Sequence, residues 1–214
     1  MTVRIRPYEP RDWDALGDIC VRTSDVGRDG THLYPDPDLV SSVYAWPYAA
    51  LEPELVFVAD DGERAVGYVL GTSDTSLFAK RFRNEWLPEV AARFPAPSGP
   101  PITQADAVAD LLHAPERMVP LDLDDYPAHL HIDLLPDHQR GGHGRALMTR
   151  FLDALRDRGV TGVHLGVSTA NASALAFYER LGFHELTSAG VGGLSVFLGK
   201  RIAPNARLAA GAAG

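Results

Sequence analysis

Apolar residues recur along this chain with two different periods. Val3–Arg6 alternates and predicts a first strand. Arg11–Thr23 places Trp13, Leu16, Ile19 and Cys20 at helical spacing, and Asp36–Leu51 predicts a second helical region broken by Pro47. L-V-F-V-A (Leu55–Ala59) and A-V-G-Y-V-L-G (Ala65–Gly71) predict two strands joined by a D-D-G-E turn at Asp60–Glu63. A further strand ends at Pro136 and passes through a Gly-rich turn into a helix with Leu147, Met148, Phe151, Leu152 and Leu155 on one face. Arg156 and Arg158 lie in the last turn of that helix and Gly159 ends it. Gly162–Ser168 predicts a strand, and the next helix is capped by Asn171 and stopped by Gly182. Gly192–Lys200 predicts the last strand, and the Ala/Gly-rich end from residue 202 is expected to be a disordered tail after a single domain of residues 1–201.

Between the hairpin and the strand before the Gly turn lie about fifty residues, Asp74–Pro127, more than an unstructured connection in a compact domain should hold. Asp74 or Thr75 can cap one helix there, running through Phe78, Phe82, Trp86 and Leu87, and Thr103 another with Val108, Leu111 and Leu112. Pro95–Pro101 between them reads as a stiff loop. The insertion suits a lid over a binding site, or equally a packing or dimer surface.

Charge and composition narrow the partners. The 214 residues carry a formal net charge of −8, which argues against nucleic acid. There is no apolar run long enough for a membrane span, and the N-terminal M-T-V-R-I-R-P reads as a strand rather than a signal peptide. The single cysteine, Cys20, cannot form an internal disulfide and reads as a buried thiol of a cytoplasmic protein. No metal site is expected.

The turn carries the chemistry. Gln139, Gly142 and Gly144 form Q-x-x-G-x-G at a helix start. There unpaired N–H groups and the helix dipole favour an anion, and glycine lets it approach. Arg140 and Arg145 flank the turn in an otherwise acidic chain, either for phosphate recognition or as solvated surface arginines.

Two motifs together resemble the GCN5-related N-acetyltransferase (GNAT) family. Leu134, Pro136, Gln139, Gly142 and Gly144 match its acetyl-CoA motif V-x-P-x-x-R/Q-x-x-G-x-G/A, with leucine at the first position. Asn171, Ala174, Phe177, Tyr178, Gly182 and Phe183 match N-x-x-A-x-x-F-Y-x-x-x-G-F. More narrowly, Asp29–Val40, Pro47–Pro53 and Tyr126–Asp133 look like bacterial acetyltransferases related to the C-terminal domain of O-GlcNAcase. The animal form of that domain looks like one that has lost its CoA loop, whereas here the loop is intact.

The resemblance implies an α/β (α+β) fold with a mixed sheet of about six to seven strands flanked by helices, and the helical insertion before the CoA-binding strand departs from the short connection usual in the family. It implies acetyl-CoA as cosubstrate, direct acetyl transfer to a small-molecule amine or a protein lysine, and a homodimer as one assembly. The donor would meet Leu134, Leu135, Gln139, Arg140, Gly141, Gly142, His143, Gly144, Arg145, Asn171, Ala174, Phe177 and Tyr178. Tyr178 would be the general acid. His129, His131 and Asp133 alternate with Leu130, Ile132 and Leu134, which suggests a solvated cleft along one strand face, or else a hydrogen-bonded structural row on a half-exposed strand. Asp133, acting through water, is the first candidate base. His131 is the second, with a better matched ordinary pKa near 6.5. For the acceptor, Asp36, Asp38 and the acidic run Asp122–Tyr126 are cation-attracting loops, or simply solvated turns. Asp25, Asp29, Tyr34 and Trp46 are cleft residues by the narrower resemblance.

Two other readings compete. A dinucleotide-binding oxidoreductase would need G-x-G-x-x-G or A, which Gly142, Gly144 and Leu147 do not supply. A non-catalytic acetyl-CoA-binding or interaction module remains open, because fold does not fix function.

Overall fold

A computed structural model describes residues 2–119, 124–186 and 195–203. A seven-stranded sheet runs through it in the order β1-β2-β3-β4-β5-β7-β6. The strands are β1 (Arg4–Pro7), β2 (Phe57–Asp60), β3 (Ala65–Thr72), β4 (Ala128–Leu134), β5 (Gly162–Ser168), β6 (His184–Glu185) and β7 (Ser195–Arg201). Every neighbouring pair is antiparallel except β4 and β5. The sheet is mixed, as expected, and the short β6 is its unforeseen edge strand.

Helices cover both faces. On one side α1 (Trp13–Thr23) packs on β3 and β4, with α2 (Asp38–Tyr44) and α3 (Trp46–Leu51) beside it. On the other, α7 (His143–Asp157) lies across β1 to β4 and buries Leu147, Met148, Phe151, Leu152 and Leu155, the stripe read from the sequence. α8 (Ala172–Arg180) follows β5, and Gly159 (φ 72°) and Gly182 (φ 81°) take the left-handed conformation beyond α7 and α8. At the far edge, buried Asp12 and Asp60 both bind the Arg6 guanidinium, tying β1 to β2 and to the start of α1.

Several boundaries differ from expectation for local reasons. The break in Asp36–Leu51 falls at Ala45 (φ −134°), and Pro47 sits in the first turn of α3, where its missing N–H costs nothing. The insertion holds α4 (Thr75–Arg81), one π-helical turn (Phe82–Trp86) and α5 (Leu87–Val90) in continuous succession, then α6 (Gln104–His113). Asp74 caps α4 through the Leu77 N–H, and Thr103 with Asp106 forms a capping box on α6. Ile202, assigned to the tail, is buried and donates its N–H to the Thr161 carbonyl. Residues 204–214 of the expected tail, Gly192–Leu194 of the last strand, and Asp122 and Leu123 of the acidic run lie outside the described residues.

Candidate active site

The site begins where two strands part. β4 and β5 pair only at Ala128↔Val163 and His129↔His164. Past that point β4 stays on β3 as far as Gly67↔Leu134, and β5 stays on β7 as far as Ser168↔Ser195. In an antiparallel ladder a residue's N–H and C=O point to the same side, and neighbours alternate. Leu135 donates to the Val66 carbonyl at 2.9 Å, so Ile132 and Leu134 turn their main-chain groups toward the gap. The Leu134 carbonyl there accepts from the Gln139 side-chain amide at 2.9 Å. Leu135 itself does not meet the expectation of a donor-binding residue. It is buried, its N–H is engaged with Val66 and its carbonyl accepts the His138 N–H.

The turn after β4 closes one end of the gap. Arg140 (φ 63°) and Gly142 (φ 82°) both adopt the left-handed conformation, and α7 makes its first bond from Ala146 N–H to the Gly142 carbonyl. Among the described residues the N–H groups of Arg140 to Arg145 have no protein acceptor, and no side chain caps α7. An arginine held at positive φ is strained, and the strain persists because the turn aims successive N–H groups together. A β-carbon on Gly144 would stand 3.3 Å from both Leu134 Cδ1 and Phe177 Cζ, so this glycine keeps β4 and α8 from being bridged by a side chain.

A cavity of about 490 Å³ occupies the gap. From the turn it is lined by Gln139, Arg140, Gly142, Gly144 and Arg145, and from β4 by Ile132, Asp133 and Leu134. α8 contributes Asn171, Ala174, Phe177 and Tyr178, with Asn171 also accepting the Ala174 N–H as helix cap. The structure thus brings eleven of the expected residues to one cavity. Gly141 and His143 line a separate cavity on the other side of the turn, beside Asp61 and His138.

The polar row of β4 is not the solvated cleft its alternation suggests. α3 and α4 cover its first half. His129 is buried between Thr75 Oγ1 at its Nδ1 (2.8 Å) and the Tyr48 hydroxyl at its Nε2 (2.7 Å). The same hydroxyl lies 3.0 Å from His131 Nε2. Burial holds His129 well below the usual imidazole range and takes His131 down to about 4, which removes the expected advantage of His131 as a base. Asp133 alone of the row lines the cavity. Burial pushes its carboxyl up to about 6, against the opposing effect of the Tyr68 hydroxyl, which donates to Oδ2 at 2.9 Å. Tyr178 is buried, and burial followed by the Asp133 charge raises its phenol above the ordinary range, so it keeps its proton.

Residues absent from the sequence reading form the rim. Thr23 comes from the end of α1, Val26, Gly27 and Arg28 from the turn after it, and Ser173 and Arg180 from α8. Val26 has φ 54°, a real outlier for a β-branched residue, and it exposes its side chain. The Gly27 and Gly30 spacing was the available signal for this turn. The other acceptor candidates lie elsewhere. Asp25 pairs with Arg28, Asp29 caps Thr31, and Tyr34 is buried. Trp46 stacks on Trp13 at 5.5 Å in another cavity, and Asp36 and Asp38 are held by Arg93. Asp125 of the acidic run pairs with Arg201. The described part of the insertion packs on α2 and α3, and none of it lines this cavity. Cys20 is a buried free thiol, with burial pushing it up to about 12.

The model of the acetyltransferase (GNAT) family matches residues 117–183. The crystal structure of SsHAT superposes with a TM-score of 0.90 at 52% identity, covering 95% of this chain and 100% of that one. Protein O-GlcNAcase of Rattus norvegicus is 26% identical over 184 residues, 85% of this chain, which therefore spans only 20% of that relative. The [ribosomal protein bS18]-alanine N-acetyltransferase of Escherichia coli (strain K12) is 52% identical over 52 residues, 24% of this chain and 35% of that protein.

Proposed function

The chain belongs to the GNAT acetyltransferase family, and from that premise we propose that it is a cytoplasmic enzyme transferring the acetyl group of acetyl-CoA directly to an amine. The observation that carries this reading is the shared cavity. Arg140, Gly142, Gly144 and Arg145, whose N–H groups are unpaired, line it together with the main chain opened along β4, one carboxylate and one protonated phenol. Acetyl-CoA, the acetyl donor of this family, supplies the activated acyl group, and the residues present fit it. The N–H groups of residues 140–145, with Arg140 and Arg145, would hold the diphosphate. The side chain missing at Gly144 leaves room between Leu134 and Phe177.

The chain's own groups divide the work. Leu134 offers an N–H to the acyl oxygen, and such a main-chain donor contributes roughly 2.7–4 kcal/mol in the best-measured comparable case. Asp133 takes a proton from the incoming ammonium. With Asp133 at about 6 and His131 at about 4, the carboxylate is the stronger base of the pair and is ionised at neutral pH. The C–N bond then forms as the C–S bond breaks. Tyr178 donates a hydrogen bond to the departing sulfur, and the second proton lost from nitrogen neutralises the thiolate. The acceptor is a small-molecule amine or a protein lysine, approaching from the Thr23–Arg28 rim. No helix among the described residues is long and apolar enough to cross a membrane.

Calorimetric titration with acetyl-CoA tests the reading. Binding that is lost in Gly144→Val and kept in Asp133→Asn is the expected result. Absence of binding by the unaltered protein overturns it.

A further inference from the structure

The hydrogen bonds around β4 have a direction, and one carbonyl sets it. The Pro127 carbonyl can only accept, so the Thr75 hydroxyl donates to it at 2.8 Å. Thr75 Oγ1 must then accept at its other contact, from His129 Nδ1–H at 2.8 Å. A neutral imidazole carries one ring proton, so His129 Nε2 is bare and accepts the Tyr48 hydroxyl proton at 2.7 Å. Tyr48 has only that proton. Its oxygen therefore accepts from His131 Nε2–H at 3.0 Å. The proton of neutral His131 is thereby placed on Nε2, and Nδ1 is left bare, with no hydrogen-bond partner among the described residues. Burial keeps both imidazoles neutral and the Tyr48 phenol protonated, as this order of donors requires.

We propose that Tyr48 is a positioning residue that fixes His131 in the Nε2–H tautomer, so that the bare Nδ1 accepts an N–H of the acceptor amine while Asp133 takes its proton. This rests on the acetyltransferase reading. His131 stands behind Asp133 rather than in the cavity lining, but it is only half-buried and its unpartnered Nδ1 is not sealed from solvent; the two share a strand face two residues apart, about 6.5 Å along the strand, so one nitrogen can sit within hydrogen-bond reach of both. The arrangement names the acceptor class as a primary amine. After Asp133 removes the first proton, one N–H bonds His131 and survives in the amide, and the other is lost as the amide forms. A secondary amine lacks the N–H that would remain on His131. The Thr75–His129–Tyr48 chain comes from α4, β4 and α3, so the tautomer is set by packing rather than by any neighbour in sequence.

Two-bond ¹H–¹⁵N correlation spectra of histidine-labelled protein read each ring tautomer directly. The unaltered protein should show His131 protonated at Nε2 and His129 at Nδ1. Tyr48→Phe removes the relay, and Thr75→Val removes its anchor while keeping Tyr48, so that the chain can run in reverse. In both variants His131 should populate the Nδ1–H form, with kcat for a primary amine falling about tenfold, the size of one neutral hydrogen bond, and KM for acetyl-CoA unchanged. Nδ1–H on His131 in the unaltered protein overturns the proposal, as does unaltered kcat in a variant whose tautomer has switched. The spectra need no acceptor, so the tautomer assignment stands or falls separately from acetyl transfer itself.

Discussion

Removing the Tyr68 hydroxyl should move the base without touching the donor site. Tyr68 lies fully buried on β3, directly across from Asp133, and donates to its Oδ2 at 2.9 Å. That bond favours the ionised carboxylate, against the burial that lifts it to about 6. A hydrogen bond to a charged group is worth about 1.5–3 kcal/mol, or about one to two pH units at 1.36 kcal/mol each. Tyr68→Phe should therefore carry Asp133 from about 6 to roughly 7–8. The assay is kcat/KM for CoA-thiol release against pH, with one amine used for both proteins so that its own protonation cancels in the ratio. The rate rises as Asp133 loses its proton, so the rising limb of the variant should shift upward. The unaltered protein should be faster by about fivefold to fiftyfold near pH 6, and the two should converge near pH 9. A limb that stays in place, or a loss equal at all pH values, would refute Asp133 as the base.

Other consequences follow from the same geometry. Asp133→Asn removes a buried charge whose carboxyl is lifted from 3.8 to about 6, so it should abolish turnover yet stabilise the fold by about 3 kcal/mol above pH 6. Because the unfolded chain ionises first, that gain should be absent below about pH 4 and complete above 6, and a Tm difference that does not grow with pH contradicts it. Gly144→Val should place methyl groups against Leu134 and Phe177 and eliminate acetyl-CoA binding, with the circular dichroism spectrum unchanged. Tyr178→Phe keeps the ring that packs on Phe177 and Phe183, and should lower kcat by about tenfold or more while acetyl-CoA binding persists.

The sequence made the donor half of the site legible and the acceptor half much less so. The turn at Gln139–Gly144 and the stripe of α7 depend on local rules: a glycine at positive φ, a helix start and a period of 3.6 residues. These can be read without knowing what lies across the fold. The polar row of β4 obeys no local rule. His129, His131 and Asp133 look alike in the alternating pattern, but Tyr48 and Thr75, more than fifty residues away, bury His129 and draw half-buried His131 into the same hydrogen-bonded chain, while Asp133 is left at the cavity. The same dependence removes the pKa advantage expected of His131 and leaves Asp133 the first candidate base, since burial lowers an imidazole and raises a carboxyl. Leu135 failed as a donor-binding residue because its main-chain groups take the direction set by the β3 ladder, which the motif does not encode. The helix break moved from Pro47 to Ala45 because proline suits a first turn as well as it ends a helix.

The central claim is most directly tested by incubating the purified protein with acetyl-CoA and a panel of primary amines, amino sugars and lysine peptides. Free CoA thiol and product mass are followed together. The account predicts thiol release that requires an amine, matched by an acetyl mass increment on that amine, and lost in Asp133→Asn. Acetyl-CoA bound at the turn with no acetylated product from any amine, or release that survives the loss of Asp133, would contradict it.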